Sequence, residues 1–252
     1  MNNTKIEYCD MTFNPITGCL CNCPYCYARG IAKRFEGHTC PTIDYYDSYN
    51  DEPLYWVINK LYKKAKSGKM IADTFPFGFS PTFHEYRLGE PAKVKKPQTI
   101  FVGSMTDLFH DAIPDEWIKA VFEACKAAPQ HRYLFLSKNP SRYEQYDRHM
   151  PNNMWFGWTQ TKPREVMQFT THHSWNVFVS IEPIQEEFKV FHSNVEWVII
   201  GAETGNRKGK VTPKREWIEN IAAQCRAANV PLFMKNSLRG IMGDAFVQET
   251  PW

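Results

Sequence analysis

Short apolar runs rich in β-forming residues recur along this chain of 252 residues, and polar or helical sequence follows most of them. This alternation is typical of βα units and predicts a mostly parallel sheet in an α/β fold. We predict up to eight strands, which lie near Glu7–Phe13, Phe75–Ser80, Thr99–Ser104, Tyr133–Ser137, Met154–Thr159, Val177–Ile181, Trp197–Gly201 and Pro231–Lys235.

Helix boundaries are also marked in the sequence. Proline and acidic residues in the segment from Ile113 to Glu116 are typical of a first turn and predict a helix that ends near Ala128. A second helix is predicted from Thr212 to just before Asn229. We predict a third helix from Pro53 to about Lys66.

Strands that alternate with helices fit either an open doubly wound sheet or a β/α barrel. Polar or small residues follow six of the predicted strands, in the segments Ser104–Asp107, Ser137–Asn139, Thr159–Thr161, Glu182–Pro183, Glu203–Gly205 and Lys235–Asn236. In a barrel these segments would converge on the face where such folds place their active sites. We therefore predict a full or partial (β/α) barrel of the TIM type, with mostly parallel strands.

The composition permits one large domain over residues 1–252, because 43% of the residues are hydrophobic and 15% are aromatic. The net charge of +3 neither identifies a nucleic-acid binder nor excludes local basic patches. The first residues lack the apolar stretch of a secretory signal, and no run approaches the roughly 18 apolar residues of a membrane helix. We expect a cytoplasmic protein with no membrane partner.

Four of the eight cysteines crowd between positions 19 and 26, which favours metal binding over disulfides. Three residues separate Cys19 from Cys23 and two separate Cys23 from Cys26, so one loop can direct three thiolates to one point. A four-iron cluster held by only three cysteines keeps its fourth iron open to another ligand. The spacing therefore predicts a chemically active cluster rather than a structural one.

With Tyr25 before the last cysteine and Tyr27 after it, this motif resembles the cluster motif of radical S-adenosylmethionine (radical SAM) enzymes. Nearly the whole chain also resembles an uncharacterised radical-SAM-like family of phages and bacteria. That second resemblance rests on four segments, Phe13–Gly18, Ser104–His110, Ser180–Pro183 and Gly201–Gly205.

The resemblance implies a 4Fe–4S cluster held by Cys19, Cys23 and Cys26, with S-adenosylmethionine bound across the carboxyl ends of the strands. It implies that an electron from the cluster cleaves S-adenosylmethionine to a 5′-deoxyadenosyl radical, which abstracts hydrogen from a substrate. It further implies an external electron donor of the flavodoxin or ferredoxin kind. Tyr25 would pack near the adenine, whereas the contact to the methionine amino group is unassigned because Phe77–Ser80 contains no acidic residue.

Seven further residues are candidates for the cofactor pocket because they lie just beyond predicted strands. They are Ser104, Thr106, Asp107, Lys138, Glu182, Glu203 and Lys235. Ordinary structural roles are open for the acidic members. Asp107 could cap a turn, and Glu182 could face a helix N-terminus or pair with a lysine.

The remaining cysteines have simpler explanations. Cys125 and Cys225 lie on the apolar faces of predicted helices and are expected to be small buried residues. Cys9 and Cys40 are structural by default. Cys21 interrupts the three-ligand spacing and is expected to pack or to face outward. As a fourth ligand it would favour a non-catalytic iron–sulfur or zinc module that binds nucleic acid or another partner. A third alternative is a degenerate enzyme that serves as a regulatory or partner-binding subunit.

The substrate class is the least determined feature. Residues 206–210 together with Lys214 and Arg215 gather five positive charges beside the last predicted strands, and Lys235 and Arg239 could extend this patch. Such a patch is compatible with a nucleic-acid substrate. The aromatic residues of Trp155–Trp158 could stack on bases, although aromatic residues are more often part of a core.

Overall fold

A computed structural model of the chain describes residues 1–35, 45–146, 150–163, 175–188 and 195–252. The described strands are β1 (Asn2–Asn3), β2 (Met11–Phe13), β3 (Ile16–Thr17), β4 (Tyr45–Tyr49), β5 (Glu52–Val57), β6 (Tyr62–Lys64), β7 (Met70–Ala72), β8 (Thr82–His84), β9 (Thr99–Val102), β10 (Arg132–Ser137), β11 (Met154–Thr159), β12 (Asn176–Ile181), β13 (Trp197–Ile200) and β14 (Leu232–Met234). The α-helices are α1 (Tyr27–Phe35), α2 (Glu90–Lys93), α3 (Asp115–Lys126), α4 (Arg215–Ala227) and α5 (Arg239–Met242).

The main sheet has eight strands in the order β1-β2-β9-β10-β11-β12-β13-β14. β1 is antiparallel to β2, whereas the pairs β2–β9, β11–β12, β12–β13 and β13–β14 are parallel. This confirms the predicted α/β class and the mostly parallel sheet. In the part of the chain that the structure describes, no strand pairing joins β14 to β1, so the sheet is not closed and the barrel stays a prediction.

The later strands and two helices follow the sequence closely. β9 to β14 lie within or beside the six predicted strands from Thr99 onward, and β2 lies within the first predicted strand. α3 and α4 occupy the two helices predicted from proline and acidic first turns. Their apolar faces are buried, including Cys125 on α3 and Cys225 on α4, as predicted. Burial raises the pKa of the Cys125 thiol and raises that of Cys225 to about 12.

Two predictions between residues 50 and 80 were wrong. Residues 53–66 form β5 and β6 instead of a helix, because Tyr55, Trp56 and Val57 favour an extended chain that packs within a sheet. The expected strand at Phe75–Ser80 is a series of turns around Gly78, whose φ is 62°. The apolar side chains there had indicated burial but not the backbone conformation.

A second sheet has the strand order β3-β8-β5-β4, and its strand β3 ends directly before Gly18 and the cysteines that follow. Within it, Thr17 Oγ1 lies 2.8 Å from His84 Nε2, and both side chains are buried. Burial, with the positive charge of Arg87 nearby, lowers the pKa of His84 well below its usual range. The neutral imidazole of His84 can therefore form a hydrogen bond with the hydroxyl of Thr17, the residue directly before Gly18.

A third, two-stranded sheet is the hairpin of β6 and β7. Its register pairs Tyr62 with Ala72 and Lys64 with Met70. The connecting turn is closed by a hydrogen bond from Gly68 N–H to the Ala65 carbonyl (2.8 Å). Gly68 has a φ of 85°, a conformation that glycine adopts without strain.

The chain divides into two compact units. Unit 1 contains Met1–Asn3 and Met11–Tyr133, and unit 2 contains Thr4–Asp10 and Leu134–Trp252. Each unit has its own buried aromatic residues, such as Phe13 and Trp117 in unit 1 and Phe156 and Trp197 in unit 2. The single domain over residues 1–252 stays a prediction. None of the described helices has the length and apolarity needed to cross a membrane.

Candidate functional site

The cysteine loop (residues 18–26) begins in unit 1 at a glycine that cannot be replaced without moving the backbone. Gly18 has a φ of 87°, and a Cβ added there would lie 2.2 Å from the Ser80 carbonyl oxygen. This close approach lets Gly18 N–H donate to the Met105 carbonyl (3.0 Å) and Cys19 N–H donate to the Phe79 carbonyl (3.1 Å). The start of the loop is therefore fixed by main-chain contacts to two distant segments.

The far end of the loop leads directly into α1. Cys26 N–H donates to the Cys23 carbonyl (3.1 Å), and Arg29 N–H donates to Cys26 Sγ (3.3 Å). Cys26 thus precedes the first turn of α1, where free backbone N–H groups can stabilise a negatively charged sulfur. The Arg29 guanidinium donates to the Cys19 carbonyl (3.1 Å) and to Asn22 Oδ1 (2.8 Å), so it links the two ends of the loop.

An apolar cluster packs beneath α1 and against Cys26. Its buried members are Ala28, Ala32, Phe75 and Met105. Phe79 packs against this cluster, and its ring also lies 4.8 Å from the Arg29 guanidinium carbon. One side of the loop therefore borders apolar side chains, which keep water away from whatever the sulfurs bind.

Cys21 lies between the other cysteines and contacts both a sulfur and a carboxylate. Its backbone N–H donates to Cys19 Sγ (3.5 Å), and its Sγ lies 3.7 Å from Asp107 Oδ2. Hydrogen bonds from the Cys21 side chain and backbone lower the pKa of the Cys19 thiol to about 7, against burial, which raises it. The Cys21 S–H can serve either Cys19 Sγ or Asp107 Oδ2, one at a time. With both groups in reach, Cys21 points toward Asp107 and Cys19 rather than outward.

The segment after β9 supplies three of the predicted pocket residues, Ser104, Thr106 and Asp107. Asp107 is buried, and its Oδ1 accepts from Phe109 N–H (3.2 Å), so it does cap a turn while Oδ2 faces Cys21. Asn14 Oδ1 accepts from the Ser104 hydroxyl (3.1 Å). The Ser104 carbonyl accepts from the Tyr27 hydroxyl (2.8 Å). These contacts tie the strand end to the cysteine loop and α1.

Thr106 carries a buried hydroxyl whose hydrogen-bonding capacity is unused. Its Oγ1 has no hydrogen-bond partner within the described ranges, although the methyl group packs near Gly103. Buried hydroxyls are normally hydrogen-bonded, so this one is available to a ligand or to water. Tyr25, which was predicted to lie near an adenine, is half-buried within the loop.

The other predicted pocket residues belong to unit 2. Glu182, after β12, and Lys235, after β14, form an ion pair. They meet beside Gly201, where an added Cβ would lie 3.1 Å from Lys235 Cδ and 3.3 Å from Glu182 Cγ. The lysine pairing that was left open for Glu182 is therefore confirmed.

Glu203 is also engaged within unit 2. It accepts two hydrogen bonds from the Arg207 guanidinium (2.6 and 2.7 Å), and this contact lowers the pKa of the carboxyl. Lys138 is exposed directly after β10. That all of these residues line one cofactor pocket stays a prediction.

The basic segment of unit 2 (residues 206–215) is less available to bind phosphate than its sequence indicates. Arg207 is held by Glu203, Lys210 donates to the Gly205 carbonyl (2.9 Å), and Arg215 pairs with Glu219 (2.7 Å). The aromatic residues Trp155, Phe156 and Trp158 are buried, which confirms that they belong to the core.

Sequence reasoning missed Asn14 and Arg29. Asn14 follows β2, which pairs with β9 so that Phe13 faces Val102, and the strand-end criterion could have found it. Arg29 lies one turn into α1, and nothing in the cysteine spacing indicated that its side chain returns to Cys19.

The donor set fits a thiolate-bound cluster. Cys19, Cys21, Cys23 and Cys26 are half-buried thiols that are not in disulfides, and two of their sulfurs accept backbone N–H groups. Hydrogen bonds of this kind tune iron–sulfur clusters. No three Cys, His, Asp or Glu residues among those described are grouped to hold one metal ion. A four-iron cluster differs from such an ion because each cysteine binds its own iron atom.

Comparison with known proteins gave one match. The sequence model of a family described as "Protein of unknown function (DUF5131)" matches residues 3–241. No curated protein and no solved structure matches the chain.

Proposed function

We propose that this chain, which belongs to the DUF5131 family, is a radical SAM enzyme that binds a 4Fe–4S cluster through Cys19, Cys23 and Cys26. The observation that carries the proposal is the arrangement of the cysteine loop. Main-chain hydrogen bonds fix both ends of the loop, while Cys21 is directed toward Asp107. Three thiols are thereby left for the cluster, and the resulting open iron is the feature that catalysis requires.

When bound, the cluster would supply the electron that cleaves S-adenosylmethionine. The chain's own residues have supporting roles. Backbone N–H groups of Cys21 and Arg29 would stabilise the thiolates of Cys19 and Cys26, and the Arg29 side chain would keep the loop closed. These donors belong to the main chain or to a guanidinium that already bridges the loop. They would therefore move little when the loop binds the cluster.

The apolar cluster under α1 would exclude water from the same site. Met105 and Phe75 are its largest buried members, and Cys26 packs against the cluster. Exclusion of water and of stray hydrogen donors protects reactive intermediates in enzymes. The unused Thr106 hydroxyl would offer a hydrogen bond to the cofactor on the neighbouring strand end.

The finer fold belongs to the same proposal. A full or partial barrel would bring the carboxyl ends of β9 to β14 to one face, where Lys138, Glu182, Glu203 and Lys235 would complete the cofactor pocket. Parallel pairing from β11 to β14 supports this arrangement. A flavodoxin-like or ferredoxin-like protein would deliver the electron, and the enzyme would act in the cytoplasm.

The experiment is anaerobic reconstitution with iron and sulfide, followed by S-adenosylmethionine and dithionite and quantification of 5′-deoxyadenosine. We expect product from the wild-type protein and none above background from Cys26→Ser. Cys9→Ser is the matched control, because Cys9 is a half-buried thiol outside the loop whose Sγ donates to the Ile6 carbonyl in its own turn (3.8 Å). An intact cluster that yields no 5′-deoxyadenosine would refute the enzyme proposal.

The second candidate function is a non-catalytic iron–sulfur or zinc module with four protein ligands. The position of Cys21 beside Cys19 is the observation that favours it. For this module Cys21 would have to leave Asp107 and bind the metal. Cys21→Ser would then lose metal as completely as Cys26→Ser, whereas the radical SAM proposal predicts that Cys21→Ser retains it.

A further inference from the structure

The second half of the helix predicted at Pro53–Lys66 instead belongs to an exposed basic hairpin in unit 1. The basic hairpin (residues 58–72) contains five lysines and no acidic residue. The whole chain has a net charge of only +3, so positive charge is concentrated here rather than spread evenly. Such a concentration produces a local positive potential that attracts polyanions.

The hairpin is held at its base by one of its lysines. Lys63 pairs with the buried Asp73 carboxylate (3.1 Å) and donates to the Phe35 carbonyl at the end of α1. The backbone N–H of Asp73 also donates to the Leu61 carbonyl (2.9 Å). These contacts fix the base, and the turn closed by Gly68 forms the other end of the hairpin.

The remaining lysines are free to bind. Lys60, Lys64, Lys66 and Lys69 are exposed, and none of them forms an ion pair with a carboxylate in the described part of the chain. The basic segment of unit 2 differs, because Arg207 and Arg215 already pair with glutamates. Charges without partners are the ones that gain most from phosphate contacts.

One face of the hairpin combines an exposed lysine with an aromatic ring. Tyr62, Lys64 and Met70 share that face, since Lys64 is paired with Met70 and alternate residues of a strand point the same way. Lys60 Nζ lies 5.6 Å from the centre of the Tyr62 ring, and 53% of Tyr62 is exposed. Exposed aromatic rings beside lysines are typical of proteins that bind single-stranded nucleic acid, where bases stack and phosphates pair.

We propose that the basic hairpin binds single-stranded nucleic acid, with Lys60, Lys64, Lys66 and Lys69 on phosphates and Tyr62 stacked on a base. An anionic membrane fits less well, because the exposed Met70 and Ile71 are adjacent and therefore point to opposite faces. Membrane-surface elements instead collect their apolar residues on one face. The proposal goes beyond the radical chemistry and does not depend on it.

The test is fluorescence anisotropy with a labelled oligothymidylate of about 20 nucleotides, a length that covers the usual site sizes. The quadruple variant Lys60→Gln, Lys64→Gln, Lys66→Gln and Lys69→Gln should weaken binding by about tenfold or more in low salt. The slope of log affinity against log salt should fall by about 0.7 for each phosphate contact removed. Tyr62→Leu should weaken binding with no change in that slope.

The matched control removes the same charge from another exposed surface of unit 1, through Lys93→Gln, Lys95→Gln, Lys96→Gln and Lys119→Gln. This variant should bind as the wild-type protein does. Equal losses in both quadruple variants would overturn the assignment to the hairpin, and so would the absence of binding by the wild-type protein. Binding to phosphatidylserine–phosphatidylcholine vesicles but not to the oligonucleotide would also overturn it. None of these measurements requires the cluster or S-adenosylmethionine. A failure of the hairpin proposal can therefore be told apart from a failure of the proposed function.

Discussion

The cysteine loop of unit 1 and the charged strand ends of unit 2 were predicted as parts of one site, yet their side chains are held differently. In the loop, the backbone N–H groups of Cys21 and Arg29 donate to cysteine sulfurs. At the strand ends, Glu182 pairs with Lys235 and Glu203 pairs with Arg207, so the charges satisfy one another. The loop thus presents sulfur atoms that are not paired with cations, whereas the carboxylates at the strand ends already have cationic partners.

The largest effect is expected from Gly18→Ala, which breaks the main-chain support of the loop. The new Cβ would lie 2.2 Å from the Ser80 carbonyl oxygen at a φ of 87°, so backbone must move. We expect a loss of at least about 2 kcal/mol in the free energy of unfolding, together with failure to retain iron. Chemical denaturation and an iron assay measure both.

Gly30→Ala is the matched control for that substitution. Gly30 lies within α1, and an added Cβ would meet nothing within 4 Å. Alanine is the better helix former, so this variant should gain about 0.5–1 kcal/mol and keep its iron. Equal behaviour of the two glycine variants would contradict the role given to the contact with Ser80.

A smaller effect is expected from Arg29→Gln, which removes the bridge between Cys19 and Asn22. The sulfur ligands remain, so the cluster should assemble but lose iron to a chelator about tenfold faster, as outer-shell substitutions do. Arg34→Gln removes the same charge from the same helix, where the side chain donates to the Gly30 carbonyl (3.3 Å) and not to the cysteine loop. Indistinguishable rates of iron loss in the two variants would exclude a bridging role for Arg29.

Cys21→Ala should spare iron binding but change the acidity of a neighbouring thiol. Hydrogen bonds from Cys21 favour the Cys19 thiolate, so loss of the side-chain donor should raise the pKa of Cys19 from about 7 toward its ordinary value of 9.0. In cluster-free protein, the pH midpoint for iodoacetamide labelling of Cys19, followed by mass spectrometry, should rise. A midpoint that stays near 7 would show that Cys21 does not set the acidity of this thiol.

The smallest effect is expected at the strand ends. Arg207 lowers the pKa of Glu203, so their contact stabilises the fold above the ordinary carboxyl pKa of 4.5 and is lost as the pH falls below it. Arg207→Gln should therefore lower Tm by about 2 °C or less at neutral pH, and the difference should vanish in acid. A Tm difference that persists unchanged in acid would contradict this account of the pair.

Sequence patterns predicted those parts of the fold that depend on local signals. Pro114 before α3 and the acidic residues of its first turn identified the start of this helix, and compact apolar runs identified β9 to β14. The helix predicted at Pro53–Lys66 was wrong, because the apolar residues of this segment fit either the helical or the strand periodicity. Pairing of β5 with β8 decides in favour of a strand. The exposed hairpin was missed for the same reason.

In the candidate site, too, the features with local sequence signals could be predicted and the long-range contacts could not. The three-cysteine spacing is local and could be identified from the sequence. The contact of Cys21 with Asp107 joins residues 86 positions apart, and that of Ser104 with Asn14 joins residues 90 positions apart. Such contacts depend on how strands pair, which residue spacing alone does not specify.

The central claim is that three cysteines bind the cluster and leave one iron open, and electron paramagnetic resonance of the reduced, reconstituted protein tests it most directly. We predict that adding S-adenosylmethionine changes the spectrum, and that Cys21→Ser gives the same spectra and the same change as the wild-type protein. A spectrum that S-adenosylmethionine leaves unaltered in the wild-type protein, together with loss of the cluster in Cys21→Ser, would contradict the claim.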